Sequence, residues 1–160
     1  MPNSVAVVED DVLIRNLLID TLRREGIQVV AETGTIVETA RLFSAVRPRV
    51  VVLDLVLSDG DVMPHLNGWR QSSPNTEIIV LSSHSDDVTL SELGAMGVTC
   101  YISKRAEAYR RLIDAVKSAL RGECIFSQNI TSAVLRHRHN CLIHLTKTEY
   151  AMMELLGLGY

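Results

Sequence analysis

Short β-branched, apolar runs alternate along the chain with segments of helical hydrophobic spacing. The runs are VAVVE from Val5, QVVA from Gln28, VVVLDL from Val50, EIIVLS from Glu77 and TCYIS from Thr99, and they start 22 to 27 residues apart. Such an interval holds one strand, one helix and two short loops, and is too long for a hairpin, so the rhythm predicts repeated βα units around a parallel sheet. The continuous apolar character of VVVL predicts a strand covered on both faces. In the first interval Asp11 can cap a helix with Ile14, Leu17, Leu18 and Leu22 on one face and Gly26 at its end. Val37 to Val46, with Ala40 and Phe43, and Asp87 to Met96, closed by Gly97, follow the same pattern. So does Ala106 to Leu120, which turns Leu112, Ala115, Val116 and Ala119 inward. In the third interval, DVMPHLNGWRQSSPN, Pro64 and Gly68 leave room for only a short helix.

After Gly122 the rhythm stops. ECIFSQNITSAVLRHRHNCLIH is polar and basic without a clear period, and is expected to be a linker that can hold one short helix. Leu145 to Tyr160 resumes helical order, with Thr146 and Glu149 spaced as a capping box and an apolar stripe of Met152, Met153, Leu155 and Leu156. A lone helix cannot bury such a stripe, so it must pack on the preceding domain, dimerise or stay poorly ordered. The expected organisation is a domain over residues 1–122, a linker over 123–144 and the first helix of an incomplete further domain over 145–160.

Charge sharpens this picture. The 160 residues carry a formal net charge of −3, which does not mark a nucleic-acid binder. Residues 1–100 hold fourteen acids and seven bases, whereas residues 101–160 hold five acids and nine bases, so the acidity belongs to the first part. No apolar run is long enough to span a membrane, and the start reaches acidic residues where a signal peptide would stay apolar. With three cysteines (Cys100, Cys124, Cys141) and no CxxC pair, a reducing, cytoplasmic setting is expected. The cluster His137, His139, Cys141 and His144 lacks the spacing and scaffold of a structural zinc site. Trp69, the only Trp, is expected to be a helix-packing residue.

In an open parallel sheet, ligands gather beyond the carboxyl ends of the strands. The first strand ends at Glu9 and Asp10, the third at Asp54, the fourth at Ser82 and Ser83, and the fifth leads to Lys104. Three carboxylates sharing a pocket repel one another, and a hard divalent cation such as Mg²⁺ relieves that repulsion. A cation beside Lys104 suits a transferable anion, with phosphoryl the obvious candidate and Asp54 its nucleophile.

These residues carry a resemblance. VVEDD resembles the acidic pair, DLVLSDGD the phosphoacceptor segment, IIVLSS the switch-hydroxyl strand and YISK the aromatic–lysine pair of the receiver domain of two-component response regulators. The match runs from residue 5 to about 121. It implies a doubly wound, flavodoxin-like α/β fold with strand order 2-1-3-4-5. It also implies phosphoryl transfer to Asp54 from a sensor histidine kinase, followed by slow self-dephosphorylation, with Mg²⁺ held by Glu9, Asp10, Asp54 and the carbonyl of Val56. Lys104 and the Ser82 hydroxyl would then bond phosphoryl oxygens. Ser82 to Asp87 would shift, Tyr101 would swing inward, and a partner would meet the changed surface of the fourth helix, fifth strand and fifth helix.

Two positions depart from the family pattern: Ser58 stands where Pro is usual, and Val62 where Gly is usual. Losing the Pro should loosen the loop after the third strand, and losing the Gly removes an easy positive φ. LTKTEYAMMELLGLGY is similar to the opening helix of a LuxR-type DNA-binding domain, but the sequence stops before a recognition helix, so DNA is a partner only for a longer form. A receiver-like interaction or dimerisation module that is never phosphorylated stays open as the alternative. A phosphohydrolase with an aspartyl intermediate is disfavoured because the usual second acid, two residues after the nucleophile, is Val56.

Overall fold

In the computed structural model, residues 4–83, 86–104, 108–123, 127–133 and 136 are described. Among the described residues, the following strands and helices are labelled in chain order. They are β1 (Ser4–Val8), α1 (Val12–Arg24), β2 (Gln28–Thr33), α2 (Ile36–Arg41), β3 (Val50–Leu53), β4 (Val56–Leu57), β5 (Gly60–Asp61), α3 (Met63–Ser72), β6 (Glu77–Ser82), α4 (Asp87–Ala95), β7 (Cys100–Ser103) and α5 (Ala108–Leu120). α2 runs on into a π-helical turn, Leu42–Val46.

The five long strands form one parallel sheet in the order β2-β1-β3-β6-β7. Numbered without the small β4–β5 hairpin, this is the expected 2-1-3-4-5 doubly wound arrangement. Alternation along each strand sorts the core into two layers. Val5, Val7, Val50, Val52, Ile79 and Leu81 face α1 and α5. Ala6, Val8, Val51, Leu53, Ile78 and Val80 face α3, α4 and the π-turn.

Two local expectations change. In α1 the buried residues are Leu18, Ile19 and Leu22, while Leu17 is half exposed. The stripe through Leu17 and the stripe through Ile19 are adjacent on a helix, and only the position of the sheet selects between them. The short interrupted helix expected in the third interval is a ten-residue α3. Pro64 lies in its first turn, where a missing N–H removes no hydrogen bond. Leu66 and Trp69 are buried and anchor the helix across Gly68. Trp69 stacks on Phe43 at 5.4 Å and on His65 at 5.8 Å, in keeping with a packing role.

The stretch after Gly122, expected as a linker able to hold one short helix, does hold one, and that helix packs on the domain. Residues 128–133 are helical, and Ile130 and Ala133 are buried in the layer that holds Leu90, Leu93, Val98 and Tyr101. Cys124, Cys141, the histidine cluster, His84 and the helix expected over 145–160 lie outside the described residues.

No helix among the described residues is long and apolar enough to cross a membrane. Cys100 is buried, and burial pushes its thiol up to about 12. Iodoacetamide at mildly alkaline pH is therefore expected to leave Cys100 unmodified in the native protein and to label it only after urea unfolding, as read by peptide mass.

Candidate functional site

β1 and β3 are central and parallel, so their carboxyl ends open side by side and carry Glu9, Asp10 and Asp54 to one edge. The acid loop is tied down on both sides. Glu9 N donates to Thr33 O at 3.0 Å, and the Asp11 side chain caps α1 by accepting from Leu13 N and Ile14 N. Asp54 N donates to Val8 O at 2.9 Å, which fixes the start of the β3 loop against β1.

The ligand atoms of Glu9, Asp10 and Asp54 all lie within 4.8 Å of one another. Lys104, delivered by the end of β7, reaches into this cup. Its Nζ lies 2.6 Å from Asp54 Oδ2 and 2.7 Å from Glu9 Oε2. The second Asp54 oxygen, Oδ1, accepts from Leu55 N at 2.7 Å. Both Asp54 oxygens are thus held, and the carboxylate is aimed.

Burial penalises the ionised form of Glu9 and raises its pKa, against the pull of Lys104 in the other direction. Burial also opposes the charge on Lys104, but its hydrogen bonds to Asp54 and Glu9 win and hold the ammonium above the ordinary lysine range. Among these groups, three acids face one ammonium. This local excess of negative charge, with oxygen donors gathered at one point, fits a hard divalent cation such as Mg²⁺.

Ser82 ends β6, fully buried. Its carbonyl accepts from Lys104 N at 3.0 Å and from the Tyr101 hydroxyl at 2.9 Å. Tyr101 is 2% exposed, so its side chain lies buried in the layer of Leu90, Leu93 and Val98. Val56 opens β4, two residues after Asp54, with its side chain half exposed.

The loop after Asp54 is restrained by means other than the missing Pro and Gly. Residues 56–61 form a two-stranded antiparallel hairpin, with Val56 opposite Asp61 and Leu57 opposite Gly60. Gly60 has φ 143°, a conformation that side chains rarely tolerate. Val62 lies close by as a fully buried core residue. Asp59 extends from the hairpin tip to the start of α2, both carboxylate oxygens accepting from Ile36 N at 2.9 Å. Asp59→Ala removes this brace and is expected to cost about 1 kcal/mol, measurable by urea unfolding.

Sequence reasoning missed Asp59 and also Arg15. The Arg15 guanidinium donates to Glu9 O at 2.6 Å and pairs with Glu32 at 3.3 Å, so it clamps the acid loop to β2. Gly34 makes room for it: a Cβ there would meet Arg15 Nη1 at 2.7 Å. No spacing signal marks either residue, because each acts on backbone that no side-chain period reports.

An acid cup with one bridging lysine, set at the carboxyl edge of a 2-1-3-4-5 parallel sheet, defines a receiver-type α/β protein. Comparison with known proteins agrees: the family described as the response regulator receiver domain matches residues 5–117, and the chain belongs to that family, the receivers of two-component systems. It is similar to the DNA-binding transcriptional activator DevR/DosR of Mycobacterium tuberculosis, 26% identical over 162 residues, covering 97% of this chain and 74% of that protein. It is also similar to response regulator protein VraR of Staphylococcus aureus, at 24% identity over 100% of this chain and 78% of that one. Among solved structures, a LuxR-family two-component response regulator from an Aurantimonas species shares the fold at TM-score 0.70 and 24% identity, covering 84% of this chain and 96% of that one. The isolated REC domain of RcsB from Salmonella enterica serovar Typhimurium, in the presence of phosphomimetic BeF3-, shares it at TM-score 0.71 and 18% identity, over 82% and 97% of the two chains.

Proposed function

We propose that this receiver is controlled by phosphorylation of Asp54, with the phosphohistidine of a sensor kinase as donor. The observation that carries this reading is the Lys104 ammonium bridging Asp54 and Glu9 inside a cup that also holds Asp10. An Asp54 oxygen attacks the phosphorus, the bond from phosphorus to the imidazole nitrogen breaks with its electron pair leaving on nitrogen, and an acyl phosphate forms on Asp54. Hydrolysis by water later returns the carboxylate and inorganic phosphate. Lys104 moves from bridging two carboxylates to bonding the phosphoryl oxygens, which present more charge than the carboxylate alone. The Ser82 hydroxyl, at the adjacent strand end, takes another of those oxygens.

Glu9, Asp10, Asp54 and the carbonyl of Val56 would hold Mg²⁺, which when bound offsets the charge developing on the phosphoryl oxygens. The fit rests on the donor chemistry: carboxylate oxygens, few enough to leave water ligands in place.

Residues 1–122 form the receiver in this reading, 123–144 serve as the linker, and 145–160 begin a LuxR-type DNA-binding domain. The output is then control of transcription by a longer form, in the cytoplasm, with homodimers as a further partner state. Support comes from the relative named as a DNA-binding transcriptional activator and from a structural relative described as two RcsB dimers bound to two parallel DNAs, which shares the fold.

The direct test is incubation with acetyl phosphate, with and without Mg²⁺, followed by intact-protein mass. Addition of one phosphoryl group that depends on Mg²⁺ is expected. No addition, together with no Mg²⁺ binding near millimolar concentration, would leave the unphosphorylated interaction module in its place.

A further inference from the structure

The residues beyond α5 do not simply leave the domain. Ser127 N donates to Thr99 O at 2.9 Å, and Tyr101 N donates to Ser127 Oγ at 3.1 Å. Ser127 thereby satisfies two backbone groups on the outer edge of β7, as a neighbouring strand would. Ile130 is 5% exposed and Ala133 fully buried, in the layer that holds Leu90, Leu93, Val98 and Tyr101. Further on, Arg136 clasps Asp87 in the first turn of α4 with two hydrogen bonds, 2.7 and 2.9 Å. A cleft of about 370 Å³ lies between Ser127, β7 at Tyr101 and α5 at Arg111 and Asp114. Among the described residues, the segment's hydrogen bonds to the domain go to the β7 edge and to Asp87 of α4, and its buried side chains join the layer of Leu90 and Leu93.

The surface it covers leads to the acid cup. Tyr101, whose backbone N–H the segment binds, donates its hydroxyl to Ser82 O, and the same carbonyl accepts from Lys104 N. Asp87, clasped by Arg136, begins the helix that comes after the Ser82 loop. The segment thus touches β7, whose Tyr101 and Lys104 bond the Ser82 carbonyl, and the first turn of α4.

We propose that the α4–β7 face is a binding surface for this chain's own segment bearing Ser127, Ile130, Ala133 and Arg136, and that its docking and phosphoryl binding at Asp54 reinforce each other. The coupling rests on the phosphorylation reading above. Its physical basis is ordering. With the segment docked, Tyr101 stays in and Ser82 is held before the phosphoryl group arrives, so less conformational freedom is lost on binding. Linkage requires the reverse as well, with phosphoryl binding tightening the segment by the same factor. The Arg136–Asp87 pair is exposed and contributes little by itself, so most of the hold lies in Ile130 and Ala133.

The test uses the full chain with Mg²⁺ and beryllofluoride, a phosphoryl mimic. Calorimetry of Ile130→Asp is expected to show beryllofluoride affinity lowered by about fivefold or more, the lower range of ordinary coupling. Hydrogen exchange on the wild type is expected to slow at residues 127–133 on beryllofluoride binding, and this arm decides if Ile130→Asp fails to fold. Binding by the wild type with exchange at 127–133 unchanged or faster, or with equal or tighter affinity in folded Ile130→Asp, overturns the coupling and leaves Asp54 as phosphoacceptor. Absence of beryllofluoride binding to the wild type overturns both.

Discussion

Asp54→Asn is expected to abolish phosphoryl uptake from acetyl phosphate while leaving a folded protein. The amide nitrogen is not a nucleophile, and the remaining amide oxygen lacks the charge needed to form an acyl phosphate. Yet Asn matches Asp in size, and its oxygen can still accept from Leu55 N or Lys104, the two donors that hold the Asp54 carboxylate. The change also removes the repulsion between Asp54 and buried Glu9, one of the influences that raise the Glu9 pKa. The variant should therefore melt no lower than the wild type by much, and it should bind Mg²⁺ more weakly because one carboxylate of three is gone. Intact mass after acetyl phosphate, beside a thermal melt, separates lost chemistry from lost fold. Metal-dependent phosphoryl addition to a folded Asp54→Asn protein would move the phosphoacceptor elsewhere.

The acid cup was legible because its side chains sit at the ends of the most readable elements. VVVL and IIVL can hardly be anything but buried parallel strands, and a carboxylate or hydroxyl placed directly after such a run must lie at the sheet's carboxyl edge. Local pattern failed where distant contacts decide. Leu17 and Ile19 satisfy neighbouring helical stripes equally well, and the choice belongs to the sheet packed beneath. Pro64 and Gly68 argue locally against a helix that Leu66 and Trp69 secure from the core. Ser127 and Ile130 stand in an aperiodic polar stretch, and their partners, Thr99 and the Tyr101 layer, lie almost thirty residues away. Arg15 and Asp59 brace backbone atoms, which no side-chain pattern reveals.

Lys104→Met carries the largest expected effect on stability. Its ammonium contacts two buried carboxylates at once, and methionine leaves both without a cation while keeping an apolar stem of similar length. Removing one partner of a fully buried ion pair costs about 3–5 kcal/mol. The Lys104 side chain keeps 19% exposure, so about 2–3 kcal/mol is expected at neutral pH without metal. The pH dependence comes from the shifts. Glu9 already has a raised pKa through burial, and losing Lys104 removes the interactions that pull it down, so the shift grows. A raised acid stabilises the fold fully below its unfolded value, here 4.5, and that contribution is lost as pH rises through the folded pKa. The wild-type advantage should therefore be small in acid and open up toward neutrality. In the wild type the raised Lys104 pKa keeps its own contribution in place until alkaline pH. Mg²⁺ should restore part of the loss, because a divalent cation among Glu9, Asp10 and Asp54 replaces the missing charge, and it should raise the melting temperature of Lys104→Met more than that of the wild type. Equal melting of the two proteins across the acid-to-neutral range, with no difference in their response to Mg²⁺, would mean that the ammonium does not balance these carboxylates in solution.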